Sequence, residues 1–223
     1  MKRPFIICGV LILALLSGCH GTASEVSSPT NSSSVDVEES LTPTPDPTPT
    51  PIPTESVPLH REDADFRNAK WGDSPETVKD YETETELMES DDALIGPVSV
   101  NAYDAYALYV FDDNSLCRGG YSFDLEYTNA GQYIPTYNSL KKSLTQKYGE
   151  PIEDVVIPLA RESLIEIAGD AQALEFGYVT YRAKWETDTT NITLGMAAQN
   201  YEISLLISYE DKNYEPDIND SGL

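Results

Sequence analysis

Few side chains in this sequence have the types and spacing that catalysis requires. His20 and His60 are the only histidines, and both lie in or beside a segment rich in Pro, Ser and Thr. Without an imidazole in the segment expected to fold, Ser-His-Asp and Cys-His catalysis are unsupported, and a zinc site lacks its usual ligands. Residues 139–142 match a Ser-x-x-Lys pattern by letter, yet they fall on the exposed side of a predicted amphipathic helix. We therefore predict no catalytic residue, no metal and no cofactor.

Carboxylates are the one catalytic side chain that is abundant. The chain has 38 Asp and Glu residues, and a pair of such groups is the machinery of glycoside hydrolysis. The sequence distinguishes no pair among them, so hydrolysis stays open only as an alternative. Asp112, Asp113 and Asn114 offer oxygen ligands for Ca²⁺, but these residue types between two apolar runs predict a hairpin turn. Gly119 and Gly120 fall inside a predicted strand and indicate a bulge.

The beginning of the chain has the layout of a bacterial export signal. Two basic residues precede an apolar stretch of 12 residues, 5–16, which is too short to span a bilayer of about 30 Å as a helix. The following residues read Leu-Ser-Gly-Cys and end at Cys19. This motif resembles the lipobox of bacterial lipoproteins, which implies diacylglyceryl transfer to the Cys19 sulfur and cleavage between Gly18 and Cys19. The resemblance makes 1–18 a signal peptide.

Cys19 also sets the expected location of the protein. A diacylglyceryl group carries two acyl chains, the number that stable membrane anchoring requires. We therefore expect a protein anchored on the extracytoplasmic face of the cell membrane through Cys19, with that membrane as a partner. Cys8 is lost with the signal peptide and Cys19 is alkylated, so Cys117 has no partner for an intramolecular disulfide. A lone cysteine in a predicted strand is expected to be a small buried hydrophobe.

Residues 19–61 are predicted to be the lipidated N-terminus and a disordered linker, because they are rich in Pro, Ser, Thr and Glu and poor in aromatic residues. Prolines occupy every second position from Pro43 to Pro53, and each one pushes its predecessor into an extended conformation. At about 3.1 Å per residue, residues 42–54 would form a stiff spacer of roughly 35–40 Å. A spacer that lifts a domain into a cell wall, together with the lone cysteine, indicates a Gram-positive source.

The chain is strongly acidic. Its formal net charge is -24, and the loss of Lys2 and Arg3 with the signal peptide makes it -26. Such a chain is repelled by nucleic acid and by anionic headgroups. Nucleic acid is therefore excluded as a partner.

Folding signals begin at Phe66 and predict a globular domain, 62–211, followed by an acidic flexible tail, 212–223. Capping and periodicity predict helices at 75–82, 137–148 and 160–175. Alternating apolar residues predict strands, with an exposed acidic segment at 84–92. The predicted strands are 98–103, 105–111, 116–127, 152–157, 178–186, 191–196 and 201–209. A helix followed by antiparallel strands occurs twice, which predicts an α+β fold: an antiparallel sheet with helices packed on one face, built as two helix-plus-meander repeats.

Two further motifs carry a resemblance. They read Phe66-Arg67-x-x-Lys70-Trp71-Gly72-x-Ser74-x-Glu76-x-Val78 and Leu140-x-x-x-Leu144-x-x-Lys147-Tyr148-Gly149-x-Pro151. Together they resemble uncharacterised Gram-positive lipoprotein domains. Their Gly-x-Ser and Tyr-Gly-x-Pro signatures are also similar to the BamE-like and β-lactamase inhibitor protein-like folds. The resemblance implies a helix-plus-meander fold used for protein–protein contact.

Tyrosine is the most unusual feature of the composition, with 14 residues against five phenylalanines. We expect most of these rings at the interface of sheet and helices, with their hydroxyls at its rim, and we expect Trp71 and Trp185 in the core. The alternative is a binding face for a protein or glycan partner of the cell envelope, made of Trp71, Trp185, Tyr121 and Tyr181. The predicted function is a non-catalytic binding or scaffold domain of a lipoprotein. The alternatives are a glycan- or solute-binding lipoprotein and a hydrolase that uses carboxylates.

Overall fold

A computed structural model describes residues 61–215 of the protein. The predictions for the signal peptide, for lipidation of Cys19, for nearly all of the 19–61 linker and for most of the 212–223 tail concern residues outside this range. They stay predictions. Within 61–215, no helix is both long and apolar enough to cross a membrane.

An eight-stranded antiparallel sheet forms the centre of the fold. Its strands are β1 Met88–Ser90, β2 Ala93–Val100, β3 Tyr103–Asp112, β4 Ser115–Phe123, β5 Glu153–Pro158, β6 Val179–Glu186, β7 Thr190–Gln199 and β8 Glu202–Asp211. The order across the sheet is β1-β2-β3-β4-β8-β7-β6-β5. Two four-stranded meanders therefore run inward from opposite edges and join where β4 pairs with β8. The α+β class is confirmed.

Three α-helices accompany the sheet in the described residues. Helix α1, Pro75–Tyr81, begins as predicted: the Ser74 hydroxyl accepts from the Thr77 N–H at 3.3 Å. Helix α2, Tyr133–Tyr148, begins four residues before the predicted start. Pro135 lies in its first turn, where backbone N–H groups have no acceptor within the helix, so the N–H that proline lacks is not needed. Helix α3, Glu162–Glu175, is kinked at Gly169, where φ is 72°. Helices α2 and α3 both contact β6, β7 and β8.

Some predicted boundaries in the first meander were wrong. The acidic segment 84–92 contains the exposed edge strand β1, and the return strand ends at Phe123 rather than at 127. The bulge lies at Cys117 and not at the glycine pair, since Val110 pairs with Arg118 while Phe111 pairs with Leu116. Cys117 is buried, as predicted, and its thiol donates to the Val110 carbonyl at 3.4 Å.

The turn between β3 and β4 is confirmed as a hairpin turn. Asp112 pairs with Ser115 across it, and Asp113 and Asn114 have φ values of 46° and 64°. Asp and Asn tolerate this left-handed conformation better than most residues. The oxygen-rich side chains at this position are therefore explained by backbone geometry.

The glycines of β4 have separate roles in packing. Gly119 lies between Tyr109 and Tyr209 in the row of paired residues that crosses β3, β4 and β8. A Cβ on Gly119 would lie 2.3 Å from Cδ1 of Phe66, whose ring is buried over this point of the sheet. A Cβ on Gly120 would lie 2.7 Å from the Ile207 carbonyl oxygen. Gly119 thus makes room for Phe66, the first residue of the motif quoted above.

The two tryptophans anchor neighbouring parts of the core. Trp185 is 2% exposed, which confirms its predicted core position, and its indole N–H donates to the Gly149 carbonyl at 3.0 Å. This bond ties β6 to the end of α2. Trp71 is partly buried against the core, and its indole N–H donates to the Thr190 hydroxyl at 2.9 Å. Both rings therefore have their polar atom satisfied, as buried tryptophans require.

Candidate functional site

The main cleft of the described residues lies between the segment 61–68 and the C-terminal end of α2, above β4 and β8. Its volume is about 460 Å³. We name it the tyrosine cleft and define it by six of its lining residues: Phe66, Arg67, Tyr121, Lys147, Tyr148 and Tyr209. It is open to solvent and lies beside the point where the predicted linker joins the domain.

A tight hairpin shapes one wall of the cleft. Phe66 and Ala69 exchange two backbone hydrogen bonds of 3.1 and 2.9 Å, which leaves Arg67 and Asn68 as a two-residue turn. Arg67 has a φ of 54°, a left-handed conformation that costs a residue with a Cβ roughly 1–2 kcal/mol. The interactions of its side chain must offset that strain.

The Arg67 side chain is held by a buried carboxylate. Its Nε and Nη2 atoms both lie 3.0 Å from Glu82 Oε2, and Glu82 Oε1 accepts from the Asn68 N–H at 3.0 Å. The Glu82 side chain is fully buried, whereas that of Arg67 keeps 18% of its surface exposed. A buried carboxylate requires such pairing, and this pair fixes the turn against the end of α1.

Aromatic rings form the floor of the cleft. Phe66 lies 5.2 Å from Tyr121 and 5.0 Å from Tyr209, measured between ring centroids. Tyr121 meets Tyr209 edge to face at 6.1 Å, and Tyr148 meets Tyr209 at 6.5 Å. Such pairs add about 0.5–1.5 kcal/mol each beyond the area that they bury. The rings of the floor are therefore in mutual contact.

Burial keeps the floor tyrosines protonated. It raises the pKa of Tyr209 well above its usual value, and the adjacent Tyr148 and Tyr121 raise it further. Burial also raises the pKa of Tyr121, although the nearby Arg67 opposes the shift. At neutral pH these hydroxyls are neutral groups that donate and accept hydrogen bonds.

The charges around the cleft are of both signs, but the exposed cation is Lys147. Its ammonium lies 4.8 Å from the centroid of the Tyr148 ring, a cation–π contact. Arg61 is engaged with Asp63 at 3.0 Å and with Asp73 at 2.7 Å. Among the carboxylates, Asp65 accepts from the Trp71 N–H at 3.0 Å and from the Thr189 hydroxyl at 2.6 Å. Asp65 thus holds the fold in place, whereas Glu62, the other carboxylate that lines the cleft, is exposed.

Chemically, the cleft offers stacking surfaces, neutral hydroxyls and a flexible cation. Such groups bind and orient a ligand. Within residues 61–215, no group of three or more His, Cys, Asp or Glu side chains is placed to hold a metal ion.

The structure does not unite the four residues proposed as a binding face. Of the four, Tyr121 alone lines the tyrosine cleft. Trp185 is enclosed in the core and Trp71 is fixed to Thr190. Tyr181 is partly buried and packs against Tyr137 of α2, with 5.5 Å between ring centroids.

Several cleft residues were not found from the sequence. Lys147 and Tyr148 belong to the quoted Lys-Tyr-Gly motif, which predicts the end of a helix and does not indicate a binding role. Arg67 directly follows the buried Phe66 in the first motif, and its place in that motif was a sequence signal that could have identified it as a cleft residue. Nothing in the sequence pairs Arg67 with Glu82, which lies 15 positions later.

The chain was compared with protein-family models, with curated proteins and with solved structures, and none of the three comparisons found a match.

Proposed function

We propose that the protein is a lipid-anchored, extracytoplasmic lipoprotein whose domain binds a partner without catalysis, and that the tyrosine cleft is its binding site. The observation that carries the proposal is the open, tyrosine-floored cleft of about 460 Å³. Ligand pockets typically measure about 300–1,000 Å³ and combine aromatic walls with a few polar groups. The cleft therefore suits a small ligand or a few side chains of a larger partner.

The charge of the cleft supports an acidic or hydroxyl-rich partner. The chain as a whole has a formal net charge of -24, whereas three basic residues line the cleft against two acidic ones: Arg61, Arg67 and Lys147 against Glu62 and Asp65. Lys147 is exposed and makes no salt bridge in the described part of the chain. Its ammonium is free to meet a carboxylate or a phosphate of the partner.

A glycan or other solute is the second candidate ligand. Tyrosine rings with neutral hydroxyls provide both the flat apolar surface and the hydrogen bonds that sugar rings require. Hydrolysis has less support, because glycoside hydrolysis uses a pair of carboxyl groups. Of the two carboxylates that line the cleft, Asp65 is committed to Trp71 and Thr189, which leaves Glu62. A general acid needs a carboxyl group that reaches the substrate.

The anchor complements this site. The proposed lipid on Cys19 and the 19–61 linker would hold the domain near the membrane while allowing it to move within the envelope. The linker joins the domain next to segment 61–68, which is one wall of the cleft. A partner bound there would lie beside the tether.

Site-specific photocrosslinking in cells tests the proposal. A photoreactive residue replaces Lys147 at the cleft, and the matched control replaces Lys142, which is also an exposed lysine of α2 but does not line the cleft. We expect an adduct from position 147 that is absent from position 142 and is lost when Tyr148→Ala is added. Collapse of the adduct by a glycan-degrading enzyme would identify the second candidate. Equal adducts from both positions, or none from 147, would rule out the cleft.

A further inference from the structure

Exposed apolar side chains are concentrated in one short segment that does not line the tyrosine cleft. Nine large hydrophobic side chains are exposed among residues 61–215, and six of them lie within 152–167: Ile152, Val155, Val156, Leu159, Leu164 and Ile167. The segment comprises β5 and the first half of α3. Val155 and Val156 are consecutive in β5 and lie on opposite faces of the sheet, so both faces of this edge present apolar surface to a partner.

The backbone of β5 is also free along one side. β5 is the last strand of the sheet and pairs only with β6 among the described residues. The Leu159 N–H donates to the Tyr178 carbonyl at 2.7 Å, which sets the alternation of the ladder. In an antiparallel pair, alternate residues direct their backbone groups to the neighbour. Asp154, Val156 and Pro158 therefore direct theirs away from the sheet.

Proline and charged side chains on an edge strand oppose strand addition, and β5 has both in Pro158 and Asp154. β5 is nevertheless six residues long, which is enough for a short ladder. Pro158 removes one N–H, but Asp154 and Val156 keep theirs, and Val156 is 51% exposed. The opposite edge strand, β1, has only three residues, and such short edge strands disfavour the pairing of an added strand. Free backbone groups in a row fit one kind of ligand, an extended peptide.

The negative charge of the segment favours a basic extended peptide over an acidic one. Residues 150–175 contain seven carboxylates and a single basic residue, Arg161. A second copy of this acidic chain would be repelled, whereas a basic strand would be attracted. Glu153 and Asp154 are already paired with Arg182 and Lys141. Four exposed carboxylates of this segment have no salt bridge in the described residues: Glu150, Glu162, Glu166 and Asp170.

We propose that β5 is a second binding site, which accepts an extended basic segment of a partner protein as an added strand. The Asp154 and Val156 N–H groups would donate to the incoming strand, and its apolar side chains would cover Val155, Val156 and Ile152. This site is independent of the tyrosine cleft, so each of the two assignments can fail alone.

The test uses the mature full-length protein in detergent and an acetylated peptide of alternating lysine and valine. We expect the peptide to bind with a Kd of about 1 mM or tighter. We also expect hydrogen exchange of the Asp154 and Val156 amides to slow on binding. Binding should weaken as salt is added. The same peptide with every backbone amide N-methylated has no N–H on either edge, cannot form the ladder and should not bind.

Two variants separate backbone pairing from side-chain contact. Val156→Pro removes an N–H that points out of the sheet, so the fold is retained while binding falls by about tenfold, the value of one hydrogen bond. Val156→Ile keeps both the N–H and an apolar branched side chain, so its binding should fall much less than that of Val156→Pro. Unchanged binding by Val156→Pro or by the N-methylated peptide, or no binding at all, would overturn the proposal. Equal binding of a glutamate–valine peptide, or self-association that Val156→Pro abolishes, would overturn the choice of a basic partner.

Discussion

The Arg67–Glu82 pair is the residue-scale feature on which the tyrosine cleft depends. Glu82 is fully buried and has two partners, the Arg67 guanidinium and the Asn68 N–H. An ion pair of this kind adds little to stability compared with apolar residues of the same shape, but removal of one partner leaves the other charge uncompensated. The pair therefore matters mainly because it fixes the position and direction of Arg67.

Glu82→Gln should destabilise the fold by about 3 kcal/mol, because the Arg67 charge keeps its partly buried place without a counter-charge. Urea unfolding followed by circular dichroism measures the change. Glu84→Gln is the matched control, since Glu84 is exposed and belongs to the same loop. Its effect should stay within about 0.5 kcal/mol. Equal stability of the two variants would mean that the buried pair has no structural role.

The buried tyrosines give the stability a defined dependence on alkaline pH. Burial raises the pKa of Tyr109, Tyr121, Tyr137 and Tyr209 in the folded state. Below the unfolded pKa of about 10 both states are protonated, so these groups leave stability unchanged. Above it only the unfolded chain ionises, and the free energy of unfolding falls by about 1.4 kcal/mol per pH unit for each such tyrosine.

We therefore expect tyrosinate absorbance from these residues to appear together with the loss of circular dichroism above about pH 10. Tyr209→Phe removes one titrating group and should make the decline with pH shallower. Complete ionisation of all tyrosines in a chain that keeps its native spectrum would contradict the burial of these hydroxyls.

Two residues were predicted correctly because their local sequence is sufficient to predict their structural role. Trp185 lies in a strand whose alternation places Ala183 on the same buried face, and Ser74 precedes a proline at a helix start. Arg67 and Glu82 were missed because their contact depends on a left-handed turn and on the path of α1, and neither is encoded by local periodicity.

At the scale of elements, the contact of Phe66 with β4 joins the N-terminal hairpin to the sheet. The ring lies over Gly119, a position at which any Cβ would collide with it. The same ring contacts Tyr109 and Tyr209 on the neighbouring strands. Gly119 thus sets how close one wall of the tyrosine cleft approaches its floor.

Gly119→Ala should destabilise the fold by about 1–3 kcal/mol, since the new methyl group forces Phe66 out of its place. Gly195→Ala, in β7, is the matched control because its nearest contact would be an ordinary 3.8 Å to Leu206. It should change stability by no more than about 0.5 kcal/mol. Thermal or urea unfolding compares the two. A larger loss in Gly195→Ala would show that the contact of Phe66 with Gly119 is not tight.

The elements themselves were largely predictable, and their errors have physical causes. Period-two alternation located β3, β6, β7 and β8, and capping located α1. The bulge was assigned to the glycine pair because glycine is common in bulges, but the register is set by the buried Leu116 and Cys117. Helix α2 begins four residues before the predicted start, since periodicity alone does not show that Pro135 can occupy the first turn.

At the scale of the whole molecule, the two meanders meet at β4 and β8, and the tyrosine cleft lies above this junction. Tyr121 comes from the first meander and Tyr209 from the second, while α2 supplies Lys147 and Tyr148. The site therefore forms only when both halves are folded. The order of helix and strands predicted two halves and one antiparallel sheet, and both are confirmed. The sequence did not predict that β4 and β8 would join the halves, because strand order depends on long-range pairing.

The proposed lipid on Cys19 would join this domain to a membrane. Metabolic labelling with radioactive palmitate tests that proposal most directly. Wild-type protein should be labelled. Cys8→Ala should be labelled equally, because Cys8 lies in the predicted signal peptide and is removed. Cys19→Ala should carry no label and should leave the membrane fraction or keep its signal peptide. Palmitate that persists in Cys19→Ala, or its absence from the wild type, would contradict the assignment of the protein as a lipoprotein.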